Sequence, residues 1–215
     1  DDVISMGGTF DRLVEQGHEV HVVYQTSGNI AVSDEEALKF AEVSSDLNGG
    51  SSKAKQIITD LNDKKEYDID TTEVRNLKGL IRRKESVAAT RYVGIPDSQV
   101  RFLDLPFYET GKVKKDKLGD KDIKLMCDVI SDIKPHQIYA AGDLADPHGT
   151  HKVCLDALFM ALEILKKESY MDDCWVWLYR GAWHEWDVHD IEMAVPMSPD
   201  QVLKILSLLL RFLKF

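Results

Sequence analysis

The sequence predicts an α/β protein with a mostly parallel sheet. Short apolar, β-branched runs alternate with segments of helical spacing along the chain. Strands separated by helices are the pattern of parallel sheets. No repeat or low-complexity linker splits the chain, so its 215 residues are expected to form one domain.

Each element has a local reason. TFDRLVEQG has helical spacing and ends at Gly17, a C-cap residue. HEVHVVYQT reads as a strand. SDEEALKFAEV opens with Ser33, Asp34 and two further acids, which suit a helix N-terminus. Residues 46–70 are polar and hold one short helix, SKAKQIITDL. EVRNLKGLIRRKESVAATRYVG is helical and must stop before Ile95–Pro96. SQVRFLDL is a strand, and DKDIKLMCDVISDIKP a helix closed by Pro135. HQIYAAG is a strand and THKVCLDALFMALEILKK a helix. CWVWLYR and IEMAVPM read as two late strands. The last helix starts at Ser198–Pro199.

Composition narrows the function. A net charge of -10 argues against nucleic-acid and anionic-membrane partners, which need a basic face. The apolar tail ILSLLLRFLKF is shorter than the about 20 residues that span a bilayer. It could form a buried helix or a contact between copies. Cys127, Cys154 and Cys174 are widely spaced, odd in number and set in apolar runs. Buried free thiols and a cytoplasmic location are expected.

The loop DLADPHGTHKVC, residues 143–154, concentrates chemistry. It follows the apolar run QIYAAG, where α/β sheets bind ligands beyond strand carboxyl ends. His148 and His151 are spaced to share the first turn of a helix, beside Asp143 and Asp146. Neutral imidazole is a common zinc ligand, and a catalytic zinc takes three protein ligands and a water. Two histidines leave a ligand to be found elsewhere. A surface turn with capping duties is the plainer reading of the same residues.

The chain opens DDVISMGGTFDRLVEQG. Gly7–Gly8–Thr9 reads as a turn before a helix. It could be close helix–sheet packing or a phosphate loop. The chain has no GxGxxG or GK[ST] pattern, and acids ahead of the turn suit a cation better than phosphate.

Together these motifs resemble the PIG-L/LmbE family of zinc-dependent N-deacetylases. The likeness rests on the opening D-D-V-I-S-M-G-G-T, the following G-H-E-V-H-V-V-Y-Q-T-S-G, RRKESVAATRYVGI, VRFLDLP and His148-Gly149-Thr150-His151. It extends to about residue 202. The chain is similar in particular to the deacetylase-like domain that follows a glucosamine-6-phosphate deaminase-like domain in some bacterial fusion proteins. The resemblance implies a Rossmann-like three-layer sandwich whose first strand lies before residue 1. It implies a single deacetylase domain over 1–215, truncated at the N-terminus and altered or truncated at the C-terminus.

Residue by residue, the resemblance makes Asp1 and His151 metal ligands. His148 and Asp2 are the catalytic side chains it supplies. The family's remaining His ligand and its general base would precede Asp1. A register shifted by one, with Asp1 as base and Asp2 as ligand, needs a deletion. Thr150 stands where the family has an Asp, and cannot supply its charge. The implied cofactor is Zn2+ or another divalent metal, and the implied substrate an N-acetylglucosamine-type amide. Partners would be a small amino sugar, an upstream deaminase-like domain and a second copy of the chain. A degenerate, non-catalytic sugar-binding or structural domain is the alternative.

Substrate contacts are expected from Asn29, Arg83, Arg180 and Trp183. Asn29 lies in a loop, with Thr26, Ser27 and Gly28, that could instead be ordinary. Arg83, like Arg82, could sit on a solvated helix face. Arg180 and Trp183 lie in LYRGAWHEWDVHD, whose aromatics suit sugar faces or simple core packing. Asp104 could point into the site. His18-Glu19-Val20-His21 is HExH rather than HExxH and would place its histidines on opposite faces of a strand.

Overall fold

In a computed structural model, the described residues are 2–47, 50–112, 114–142, 145, 149–180 and 184–212, with side chains from Ser5 to Ser207. The chain is α/β, as its pattern predicts. In order it forms α1 (Asp2–Glu15), β1 (Val22–Tyr24), α2 (Asp34–Leu47), α3 (Ser52–Asp63), α4 (Thr72–Tyr92), β2 (Val100–Phe102), α5 (Asp120–Ile133), β3 (Gln137–Ala141), α6 (Thr150–Leu165), β4 (Trp175–Tyr179) and α7 (Pro199–Phe212). The strands described form two two-stranded sheets, β1–β2 and β3–β4, rather than one. Among the described residues no helix is long and apolar enough to cross a membrane.

The chain divides into two compact units. The first holds residues 1–23, 89–101 and 118–215, the second residues 24–88 and 102–117.

In the first unit, β3 and β4 run parallel, with Gln137 opposite Trp175 and Ala141 opposite Tyr179. Parallel strands need a crossover, and α6 supplies it. Its buried face, Leu155, Leu158, Ala161 and Leu165, has helical spacing. It packs with α5, which buries Ile123, Met126, Val129 and Ile130. Gly119 N–H donates to Asp122 Oδ2 at 2.8 Å, which closes the start of α5. Lys134, at φ 51°, ends it before Pro135.

Three expectations fail in this unit. The predicted Gly7–Gly8–Thr9 turn lies inside α1. Each helical glycine costs about 1 kcal/mol against alanine, and packing offsets it: a Cβ on Gly7 would stand 3.1 Å from Ile205 of α7. The α1–α7 contact also carries an ion pair from Lys204 to the buried Asp11. IEMAVPM forms no strand either. Pro196 has no N–H for a ladder, and its carbonyl accepts Arg12 Nη2 at 3.0 Å instead. The three cysteines are free, as expected, but half-buried rather than buried.

The second unit has its own apolar cluster: Val32, Ala37, Leu61, Val74 and Ile81, with Leu38, Ile57 and Leu77 against it. Beside it four charges alternate. Lys64 Nζ bonds Asp34 at 2.8 Å and Asp70 at 2.5 Å; Lys78 Nζ bonds Asp34 at 2.5 Å and Asp70 at 2.8 Å. Lys78 is only 4% exposed, so its charge depends on both carboxylates. The arrangement ties the start of α2, the end of α3 and the body of α4 together.

Burial pushes the Asp34 carboxyl up, but the hydrogen bonds and charges of Lys64 and Lys78 outweigh it and hold it below the ordinary value. Burial pulls Lys64 down, and Asp34 and Asp70 outweigh that too, so it is raised. The depressed carboxylate contributes stability above its ordinary range and loses it as pH falls through its lowered value. Raised Lys64 loses its contribution only in strong alkali. Asp34→Asn should therefore lower the urea midpoint near pH 7, and the gap from wild type should shrink toward about pH 3. A gap constant over that range would contradict the network's role.

Candidate functional site

The first unit presents the chemistry at the carboxyl ends of its parallel strands. β3 ends at Ala141, and Gly142 N–H donates to Tyr179 O at 2.8 Å, extending the ladder one residue. Gly149, at φ 67°, is the N-cap of α6. His151 follows one residue into the helix and is half-buried, so its imidazole stands in the first turn as the spacing predicts. Asp1, Asp143, Asp146, His148 and Trp183 lie outside the described residues, as does the side chain of Asp2; its backbone begins α1.

β4 ends on the same side, since the strands are parallel. Arg180 follows it directly. Its Nε donates to Gly142 O at 3.1 Å and its Nη1 to Glu185 O at 3.4 Å. The guanidinium lies 3.6 Å from the centre of the Trp186 ring.

The donor set proposed from sequence, an imidazole with a carboxylate, has the right chemistry for zinc. His151 also has the right setting: half-buried, and just beyond a strand's carboxyl end. Among the described residues, the donor atoms of Asp187, His189 and Asp190 lie within 4.8 Å of one another. All three are exposed, on one short turn.

The second unit contains the other predicted contacts. Ser27 N–H and Oγ donate to the two oxygens of Glu109 at 3.0 and 2.9 Å. Asn29 Nδ2 donates to Glu109 Oε2 at 3.1 Å. Asn29 is 2% exposed and Ser27 8%, so this carboxylate fixes the loop from within. On α4, Arg82 lies against Gly28 and pairs with Glu85 at 2.5 Å. Arg83 pairs with Asp104 and sits 5.1 Å over the Phe102 ring. Asp104 holds a left-handed backbone, φ 47°, and its Oδ1 is buried without a hydrogen bond among the described residues. Ser27, Asn29, Glu109, Arg83 and Asp104 thus all belong to this unit. His18 is exposed, and half-buried His21 pairs with Glu19 at 3.0 Å; both precede β1 instead of lying in it.

A family model for GlcNAc-PI de-N-acetylase (PIG-L) matches residues 1–162. The chain belongs to the PIG-L family. It is also 49% identical, over 94% of its length, to a Bacteroides thetaiotaomicron protein named as glucosamine-6-phosphate deaminase-like. It spans 32% of that relative. The PIG-L match takes in Asp1, Asp2, Asn29, Arg83, His148 and His151, and stops before Arg180 and Trp183.

Glu109 was not singled out from sequence. A signal existed: SGN supplies several short donors in a row, and a buried loop of donors requires an acceptor. Glu109→Ala should cost about 3 kcal/mol, because it strands buried donors on Ser27 and Asn29. Urea unfolding measures this. A loss under about 0.5 kcal/mol would mean that water replaces the carboxylate.

Proposed function

We propose that this protein is a zinc-dependent N-deacetylase, a hydrolase of a linear amide on an N-acetylglucosamine-type substrate. The observation that carries the reading is the place of His151: the first turn of the crossover helix, just beyond a strand's carboxyl end, in a PIG-L chain. Asp1 and His151 would hold the metal, with another divalent ion able to substitute. Zinc, when bound, supplies a Lewis acid that polarises the amide carbonyl and acidifies water.

The chain's residues do the rest. Asp2 would order the attacking water. Removal of the water's proton requires a carboxylate within hydrogen-bond reach. His148, protonated, would support the tetrahedral oxyanion, a role worth about 3 kcal/mol in comparable sites. It would then give its proton to the leaving nitrogen. Acetate and a free amine result. Arg180 and Trp183 would contact the sugar. Three free thiols fit a cytoplasmic setting. A neighbouring deaminase-like domain is suggested by the relative's name and by the share of it that the chain spans.

One observation favours a second reading, a degenerate sugar-binding or structural domain. Thr150 offers no carboxylate to the adjacent histidines.

Activity separates the two. N-acetylglucosamine and its 6-phosphate should release acetate, a chelator should stop it, and added zinc should restore it. His151→Ala should lower the rate by at least about 100-fold. Turnover indifferent to chelation would overturn the metal. Zinc bound without acetate release from either amide would favour the binding domain.

A further inference from the structure

We propose that α7 is a positioning element for the metal-binding end of α1, and that the contact between Gly7 and Ile205 sets where that end stands. The proposal rests on the hydrolase reading, in which Asp1 and Asp2 belong to the metal site; the contact itself rests on geometry. α7 lies outside residues 1–162, which the PIG-L model matches.

One face of α1 is given over to this contact. Gly7, Asp11 and Glu15 are spaced i, i+4 and i+8, so they lie on one side of the helix. Gly7 faces Ile205, Asp11 pairs with Lys204, and Glu15 Oε2 accepts from Gln201 Nε2 at 3.1 Å. The partners descend as the positions rise, so the two helices run in opposite senses. Arg12 Nη2 adds a bond to Pro196 O at 3.0 Å. Asp11 is 2% exposed, so its charge depends on Lys204. Ser198 fixes the start of α7. Its Oγ accepts from Gln201 N–H at 3.2 Å, and its own N–H donates to Gln201 Oε1 at 2.9 Å.

The two glycines of α1 differ in what they meet. A Cβ on Gly7 would stand 3.1, 3.2 and 3.5 Å from three carbons of Ile205. Ile205 is buried, and its branched side chain is too stiff to turn away. The helices must then part by a few tenths of an ångström. A Cβ on Gly8 would meet the Met197 thioether, an exposed and flexible side chain that can swing aside. Gly7 stands five residues after Asp2, the first residue of α1, which is about 7.5 Å along the helix. A helix moves as one body over so short a span. Displacement at Gly7 therefore reaches the ligand end, where geometry must hold within about 0.5 Å.

Zinc affinity of the full protein, measured by competition with a chromophoric chelator beside urea midpoints, tests this. Alanine forms helix more readily than glycine, so neither Gly7→Ala nor Gly8→Ala weakens the helix itself. Gly7→Ala should weaken zinc binding about 10-fold while the protein stays folded, and Gly8→Ala less than about twofold. Removing the obstacle should restore affinity. Gly7→Ala combined with Ile205→Ala should return to within about twofold of the wild type. Combined with Ile205→Val, which loses only Cδ1, it should return part of the way. A contact that only stabilises the fold would move the urea midpoint and leave zinc affinity alone. Unchanged affinity in Gly7→Ala, equal losses in Gly7→Ala and Gly8→Ala, or no recovery in either double variant would overturn the proposal and leave the hydrolase reading standing. No zinc binding by the wild type would overturn both.

Discussion

Two parallel strands cannot be joined by a tight turn, and the first unit is arranged around that constraint. β3 and β4 pair in parallel, so the chain must travel back along the sheet between them, and α6 makes the return. The consequence is positional. The start of α6 and the residue after β4 stand at the same end of the pair. His151 and Arg180, far apart in sequence, both begin there. Gly142 couples the two ends, donating to Tyr179 and accepting from Arg180. The proposed chemistry depends on this end of the sheet more than on any single side chain.

The second unit solves a different problem: polar groups that cannot reach water. Glu109 takes three donors from the loop after β1, and Lys78 is nearly enclosed between Asp34 and Asp70. In both places the gain from any one bond is modest, about 1 kcal/mol net. Leaving a member unpaired is far more costly. Such networks fix geometry because no partial version of them is stable. Asn29 is held this way, while the neighbouring α4 offers Arg82 and Arg83 with their own acids.

Much of this was legible in the sequence. Every helix, and four of the five strands read from apolar runs, can be traced to caps, spacing or β-branched content. The His148–His151 spacing pointed to a helix start, and α6 does begin at Thr150. The misreadings share a cause. Gly7 and Gly8 signal a turn locally, and the approach of Ile205 to Gly7 and of Met197 to Gly8 explains glycine within a helix. IEMAVPM alternates like a strand, but a strand needs a neighbour, and Arg12 takes the Pro196 carbonyl. Glu109 serves donors about 80 residues away, a distance no local pattern spans. Long-range partners decided each case.

His151 is proposed as a metal ligand. Zinc K-edge X-ray absorption on the zinc-loaded protein tests it most directly, with His151→Ala beside it. The wild type should show a nitrogen and oxygen shell at about 2.0–2.1 Å with imidazole scattering, and the variant should lose one imidazole or the metal altogether. Identical spectra from the two proteins, or a sulfur shell near 2.3 Å drawn from the free cysteines, would contradict it.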